Sequence, residues 1–386
     1  MAANHEIIVI GLGGMGSAAL LELARRGVSA LGIEQFDIGH DRGSTHGETR
    51  LIRRAYYEHP DYVPLVDESF RKWAQLEAEC GQRLFFKSGL FLAGPPEGEL
   101  ISGTRLAARL HRLDIESVRS DQCGERFPLF VPAENMEVMF EPDAGFLLVE
   151  QCVRTSIQLA EAHGAAVAPG TVVRRWRQDG GSYEVETSGE TYRCERLIVC
   201  GGPWADRMLA DLALPLEVRR KVVLWYAVHD DRYSFDNGFP VFGFDVDGGF
   251  FYGFPCIDGR TLKVCEHTGG ETADPDHLDR SLHPPDAARV RAFADRHLVG
   301  LDQTLVKHSV CMYTMSPDQH FIIDRHPLDP HVSFVAGLSG HGFKFAPVIG
   351  SALADLALGE APPPNFAFFS LSRPGLTPRL PSPREQ

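Results

Sequence analysis

Three parts of the chain repeat one pattern, in which an apolar stretch is followed by glycines and then by a segment of helical composition. These parts are residues 6–16, 197–205 and 332–345. An apolar run without polar alternation is typical of a strand that is buried on both faces. The repeated pattern therefore predicts one doubly wound α/β core assembled from separated segments.

The segments between these units supply further elements. Residues 60–80 carry apolar side chains at helical spacing, which is typical of an amphipathic helix. The pattern also predicts helices at 17–26, 100–113, 149–162 and 346–358, strands at 29–33 and 165–187, two strands around a turn at 84–93, and irregular chain at 119–143.

Residues 219–267 are aromatic and strand-like, with turn signals at Asn237-Gly238 and Gly248-Gly249. This composition predicts an antiparallel sheet in a second domain of the α+β type. The predicted domains are 1–83, 144–218 and 318–372 for the doubly wound domain, 84–143 and 219–317 for the second domain, and 373–386 for a flexible tail.

Composition narrows the classes of function. The net charge of −14 argues against a nucleic-acid or membrane surface, and no apolar run reaches membrane-spanning length. The eight cysteines show no CxxC pair and no metal-type spacing, so no metal site is predicted. Free thiols and an N-terminus without a signal-peptide pattern favour a cytoplasmic location.

A glycine motif, Gly11-Leu-Gly-Gly-Met-Gly16, follows the first apolar stretch directly. Gly11 suits a tight turn, Gly13 lets backbone amides approach a pyrophosphate, and Gly16 permits close packing of helix and strand. Glu34 ends the second strand, where a carboxylate accepts hydrogen bonds from an unphosphorylated ribose. The pattern indicates FAD or NAD rather than NADP. The predicted dinucleotide-binding residues are Gly11, Gly13, Gly14, Met15, Gly16, Glu34 and Gln35.

Three arginines lie close together after this motif. Arg50, Arg53 and Arg54 fall within five residues, and an extended backbone over 50–56 would put Arg50 and Arg54 on one face. Arginine binds a carboxylate through two hydrogen bonds or lies against an aromatic ring. A solvated basic loop is the alternative interpretation, although the acidity of the protein favours a functional role.

A second glycine-rich turn, residues 337–344, joins a predicted strand to a predicted helix. Its glycines allow the backbone to approach a ligand, and His341 and Lys344 are polar groups in an apolar neighbourhood. A strand, a glycine turn and a helix with a cation at the mouth suit an anionic ligand. A plain turn with a solvated Lys344 remains the alternative interpretation.

The aromatic segment ends in Leu262-Lys-Val-Cys-Glu-His267. Strand alternation puts Lys263, Cys265 and His267 on one face. A single lysine in a strand is more often an exposed edge residue, so the sequence leaves a functional and a solvated Lys263 both open.

Several ordered motifs together resemble the family of monomeric sarcosine oxidase and N-methyltryptophan oxidase, flavoenzymes that oxidise secondary amino acids. The resemblance runs from about Glu6 to Arg373. Its most specific parts are residues 46–53 (HGETRLIR), 252–255 (YGFP), 311–314 (CMYT) and 340–344 (GHGFK). It implies a glutathione-reductase-like FAD domain, a substrate domain and a monomeric enzyme.

The resemblance also implies roles for particular residues. FAD would be held covalently, through a cysteine thioether to the flavin 8α carbon, at Cys311. Arg50 and Lys263 would flank the flavin ring, with Lys263 promoting the reaction with oxygen. The implied catalytic residues are Lys263, His267, Arg50 and Tyr313. The implied substrate-binding residues are Arg53 and Lys344 at the carboxylate, with Tyr252, Gly243 and His341. The further implied cofactor contacts are Ser44, Thr49, Arg50, Cys311, Gly340, Gly342, Phe343 and Lys344.

Two departures from the family pattern bear on the substrate. Arg54 stands where histidine is usual, and Gly243 stands where sarcosine-specific members carry a bulky methionine. The smaller residue suggests room for a larger side chain, and residues 221–226 and 263–270 resemble the N-methyltryptophan branch more. The sequence therefore favours an N-methyl amino acid larger than sarcosine, demethylated to the primary amino acid with release of formaldehyde and hydrogen peroxide.

Other functions remain open. A cyclic imino acid oxidase and a flavin amine dehydrogenase would use the same fold, and peroxide formation under air separates an oxidase from a dehydrogenase. A flavin- or NAD-binding sensor without turnover is a third alternative. The intact set Arg53, Lys263, Cys311 and Lys344 argues against the sensor.

Overall fold

The computed structural model of the protein describes residues 4–376, so most of the predicted tail, 377–386, lies outside the described residues. The strands of the described chain are β1 (Asn4–Ile10), β2 (Ala30–Ile33), β3 (Thr49–Ile52), β4 (Phe85–Lys87), β5 (Leu90–Gly94), β6 (Glu116–Val118), β7 (Glu137–Glu141), β8 (Gly145–Leu148), β9 (Ala166–Ala168), β10 (Val173–Asp179), β11 (Ser182–Thr187), β12 (Thr191–Val199), β13 (Glu217–Ala227), β14 (Val241–Val246), β15 (Gly249–Phe254), β16 (Thr261–Glu266), β17 (Leu305–Met315), β18 (Ile322–His326) and β19 (Asp329–Ala336). The helices are α1 (Gly14–Arg25), α2 (Val63–Cys80), α3 (Glu99–His111), α4 (Ser120–Arg126), α5 (Val149–Ala162), α6 (Ala205–Met208), α7 (Pro284–His297) and α8 (Ala346–Leu358). None of the helices within residues 4–376 is long and apolar enough to cross a lipid bilayer.

The first sheet is built around parallel strands in the order β19-β12-β1-β2-β9. Antiparallel strands β18 and β10–β11 extend it. Ile7 and Val9 of β1 pack into a core with α1, α5 and α8, whereas Ile8 and Ile10 pack into a separate core on the opposite face. This alternation confirms that β1 is buried on both faces, and the three repeated units contribute the neighbouring strands β1, β12 and β19.

The second sheet has the order β17-β13-β16-β15-β14-β5-β7-β6 and carries the aromatic segment. All its pairs are antiparallel except β5–β14. Helix α7 packs on one face, where Phe293 stacks on Phe251 with ring centroids 4.6 Å apart. Lys263 of β16 contacts the loop before β3, and the small sheet β3-β8-β4 completes the framework. The α/β fold class with a second, antiparallel-sheet part is confirmed, while the domain boundaries stay a prediction.

Several local predictions were wrong for reasons of long-range pairing. Residues 119–143 contain α4 and β7, because β7 finds its partners in β5 and β6. The two strands predicted around a turn at 84–93 are present, but they do not pair with each other, since β4 pairs with β8 and β5 with β7 and β14. The extended segment 50–56 ends at Ile52, and Asn237-Gly238 closes a 3-10 turn instead of joining two strands.

Candidate active site

A cavity of about 390 Å³ follows the carboxyl edge of the parallel sheet. It begins beside Glu34 at the end of β2, passes the turn between β1 and α1, and reaches β17 at Tyr313. The predicted cofactor residues that line it are Gly11, Gly13, Gly14, Met15, Glu34, Gln35, Ser44, Arg50, Gly340, Gly342 and Phe343. An elongated cavity at the carboxyl edge of such a sheet suits a dinucleotide.

The glycine motif is required by the geometry of this turn. Gly11 has φ +87°, and a Cβ atom there would lie 2.4 Å from the carbonyl oxygen of Cys200. A Cβ on Gly16 would lie 1.8 Å from the carbonyl oxygen of Gly11. The Gly14 amide donates to Thr45 Oγ1 (3.3 Å), and Thr45 is a contact that the sequence did not indicate. Buried Glu34 accepts a hydrogen bond from the Leu12 amide (2.8 Å), which fixes the carboxylate of Glu34 beside the turn. The residues around this turn therefore fit FAD.

Cys311 on β17 differs from an inert buried thiol. Its Sγ lies 3.4 Å from the carbonyl oxygen of Ser44 and 3.6 Å from Nη2 of Arg50. Burial acts to raise the pKa of this thiol, but the neighbouring His46 and Arg50 outweigh it and lower the pKa to about 6. Burial raises the pKa of Cys194 to about 12, where no cation compensates. Cys311 is therefore a thiol that ionises at neutral pH, and thiolates are the reactive form.

Lys263 is buried on a central strand, so the interpretation as a solvated edge residue is wrong. Its Nζ donates to the carbonyl oxygens of Gly47 (2.7 Å) and Thr49 (2.9 Å) and to Thr49 Oγ1 (3.1 Å). Burial lowers the pKa of Lys263 to about 8. The side chain of Lys263 does not line the elongated cavity or the second, smaller cavity described below, whereas Arg50 lines both.

The loop that receives Lys263 is held in an unusual conformation. Glu48 has φ +70°, and the amides of Gly47 and Glu48 both donate to Glu150 of α5 (2.7 and 3.1 Å). Trp225 Nε1 donates to Glu48 Oε2 (2.9 Å). These contacts aim the carbonyl groups of the loop at Lys263. Glu150 and Trp225 carry no local sequence signal, because their role depends on packing between distant segments.

A second cavity of about 70 Å³ lies beside the first, and Arg50 and Tyr313 line both. Arg53 and Lys344 line it as predicted, and both are buried. Arg53 donates to Glu58 Oε2 (2.5 Å), an acid that the sequence did not single out. Burial acts to raise the pKa of Glu58, but Arg53 lowers it to about 2. Burial and Arg53 together lower the pKa of Lys344 to about 7.

Neutral polar groups and aromatic rings form the rest of this cavity. His267 Nδ1 lies 3.3 Å from the hydroxyl of Tyr313, and burial and Lys221 lower the pKa of His267 to about 3. His341 Nε2 donates to the carbonyl oxygen of Gln319 (3.0 Å) and its Nδ1 accepts from Tyr56 (2.6 Å). The cavity therefore holds two basic groups, Arg53 and Lys344, with the carboxylate of Glu58 paired to Arg53, and its histidine and tyrosine side chains are neutral.

Two predictions about this cavity need correction. The open room expected beside Gly243 is filled, since a Cβ on Gly243 would lie 3.0 Å from the ring of Phe250 and 3.1 Å from Leu92. The side chain of Arg54 does not lie on one face with that of Arg50, because strand β3 ends at Ile52. Its guanidinium pairs with Asp67 (3.0 Å) and Asp143 (2.6 Å) outside the cavity.

Comparisons with known proteins agree with this geometry. A family model described as FAD dependent oxidoreductase matches residues 6–356. Monomeric sarcosine oxidase of Bacillus sp. (strain B-0618) is 39% identical over 97% of this chain and 98% of that protein. N-methyl-L-tryptophan oxidase of Yersinia pestis (strain Pestoides F) is 35% identical over 96% of this chain and 99% of that protein.

Solved structures show the same fold at lower identity. NikD, an unusual amino acid oxidase essential for nikkomycin biosynthesis, has a TM-score of 0.83 at 22% identity, covering 95% of this chain and 97% of that chain. Glycine oxidase from Geobacillus kaustophilus has a TM-score of 0.80 at 18% identity, covering 96% and 99%. The chain belongs to the FAD-dependent oxidoreductase family, in the group of the monomeric sarcosine and N-methyl-L-tryptophan oxidases, and is a flavin-dependent amine oxidase.

Proposed function

We propose that this protein oxidises N-methyl amino acids and uses molecular oxygen as the electron acceptor. The observation that carries the proposal is the second cavity, which joins two buried basic side chains, Lys344 and the Glu58-paired Arg53, to neutral hydrogen-bonding groups next to the dinucleotide cavity. Such a pocket suits a molecule with a carboxylate at one end and an amine at the other. The names of the relatives, sarcosine oxidase and N-methyl-L-tryptophan oxidase, support this substrate class.

The residues of the chain would bind and orient the substrate and favour its neutral amine form. Arg53 and Lys344 hold the carboxylate through charge-assisted hydrogen bonds. The amine then lies among Tyr252, His267 and Tyr313, where burial beside cations disfavours the ammonium form. His267 is neutral at physiological pH, because its pKa is lowered to about 3, and it can position the amine through a hydrogen bond while the proton of the ammonium leaves to solvent.

When bound, FAD accepts the two electrons and the hydrogen from the substrate carbon and passes the electrons to oxygen. Arg50 lines both cavities and can stabilise negative charge that develops near the flavin ring. The resulting imine would hydrolyse in water to the primary amino acid and formaldehyde. Reduction of oxygen would give hydrogen peroxide.

Anaerobic titration tests the proposal. Purified protein is mixed with sarcosine, N-methyl-L-tryptophan or proline while the visible flavin absorption is recorded. We expect at least one N-methyl amino acid to bleach the band, and admission of air to restore it with formation of peroxide. A yellow protein that no N-methyl amino acid bleaches would contradict the proposal, and bleaching without peroxide under air would identify a dehydrogenase.

We also propose that Cys311 carries the flavin as a thioether, because its thiol has a lowered pKa, whereas burial raises the pKa of Cys194 and Cys200. Acid-precipitated protein should stay yellow, whereas Cys311→Ala should release the colour into the supernatant. Cys265→Ala, which removes a buried thiol two residues from Lys263, is the matched control and should retain a yellow pellet. A colourless pellet from the parent protein would exclude the covalent link.

A further inference from the structure

We infer that Phe250 sets the size of the substrate side chain and restricts the pocket to N-methyl amino acids with short side chains. The inference rests on the proposed function and concerns the same cavity. Gly243 leaves one wall of the pocket without a side chain, and the ring of Phe250 fills that space from the neighbouring strand. The absent side chain at 243 therefore does not enlarge the pocket.

The ring of Phe250 lies between His267 and Tyr57 in the wall of this cavity. It is edge-on to His267, with ring centroids 5.6 Å apart at 87°, and it meets Tyr57 at 6.1 Å and 66°. Its outer carbons approach the position of a Cβ on Gly243 to 3.0 and 3.2 Å. A substrate side chain that projects towards Gly243 would therefore collide with this ring.

The backbone of Phe250 is fixed, so only its side chain can yield. The Phe250 amide donates to Thr268 Oγ1 (3.0 Å), and its carbonyl accepts from the His267 amide (2.7 Å). The strands β14 and β15 pair directly beside it. Positions 243 and 250 consequently share one volume, in which only one of them can carry a large side chain.

Specificity measurements on single and double variants test this inference. We compare kcat/KM for N-methyl-L-tryptophan with kcat/KM for sarcosine in the parent protein, Phe250→Ala, Gly243→Ala and the double variant. The parent should prefer sarcosine, and Phe250→Ala should shift the ratio towards N-methyl-L-tryptophan at least tenfold. Gly243→Ala should lower kcat/KM for sarcosine, and this loss should shrink when Phe250 is also alanine, because the two side chains no longer compete.

Phe251→Leu is the matched control. Phe251 is the next residue of the strand, but it faces the other side of the sheet and stacks on Phe293, so its replacement should leave the substrate ratio unchanged. Where Phe250→Ala fails to bind flavin, Phe250→Leu should give a smaller shift in the same direction.

The inference is overturned by a parent protein that prefers N-methyl-L-tryptophan, by an unchanged ratio in the Phe250 variants, or by additive effects of the two substitutions. These results are distinct from a failure of the proposed function, in which neither substrate reduces the parent protein.

Discussion

Replacement of Lys263 by methionine should slow the reaction of the reduced enzyme with oxygen by about 10²–10³-fold, the usual cost of removing one preorganised electrostatic donor. Reduction by the substrate should change much less. Lys263 is a buried cation beside the dinucleotide cavity, and its contacts are carbonyl and hydroxyl oxygens instead of a carboxylate. We therefore expect its charge to assist the transfer of electrons to oxygen. Stopped-flow measurement of the two half-reactions separates the effects.

Lys221 supplies a matched control for this experiment. It too is buried, with a pKa that burial lowers to about 8, but its Nζ donates to the carbonyl oxygens of His267 (2.9 Å) and Thr268 (2.7 Å) in the loop after β16 and lies 5.2 Å from the centre of the Tyr313 ring, on the substrate side of the site. Lys221→Met should leave the oxygen half-reaction nearly unchanged. An equal loss in both half-reactions of Lys263→Met, or the same oxygen defect in Lys221→Met, would refute the role given to Lys263.

The second large effect concerns Lys344. Lys344→Met should lower kcat/KM by about 10- to 150-fold, since a hydrogen bond to a charged group contributes about 1.5–3 kcal/mol. The variant should lose kcat/KM for amino acid substrates and should also lose affinity for simple carboxylate inhibitors. Steady-state kinetics and flavin absorbance titration with propionate measure the two quantities. A variant that binds propionate as tightly as the parent protein would show that Lys344 does not hold the carboxylate.

The pH dependence of propionate binding follows from the pKa of Lys344, which burial and Arg53 lower to about 7. Below that pH the ammonium is present and binds the carboxylate, and above it the neutral amine does not. Propionate affinity should therefore fall as pH rises through about 7, by no more than the loss seen in Lys344→Met. Lys344→Arg should show no such fall, because a guanidinium stays protonated. A parallel pH profile in both proteins would assign the titration to another group.

The parts of the fold that the sequence predicts well depend on local chemistry. The turn after β1 needs Gly11 and Gly16 whatever surrounds it, and α8 has the bounds expected from its apolar composition and the glycine after it. The site depends on distant pairings instead. Lys263 donates to the carbonyl groups of Gly47 and Thr49, which lie 216 and 214 residues earlier in the chain, and no local pattern shows this contact. Long-range packing is therefore what single-sequence reasoning misses.

The strand order of the first sheet has a consequence for biosynthesis. β1 lies beside β12, and β12 must in turn pair with β19, so strands from the beginning, middle and end of the chain are neighbours. Pairing over such separations closes long loops and is slow. The ribosome has therefore synthesised almost the whole polypeptide before the cradle for FAD can form, and until β12 arrives only the edge of β1 that faces β2 has a partner. Because a ligand that binds only the folded state stabilises it, we expect a larger supply of free FAD to raise the yield of folded protein and to lower aggregation.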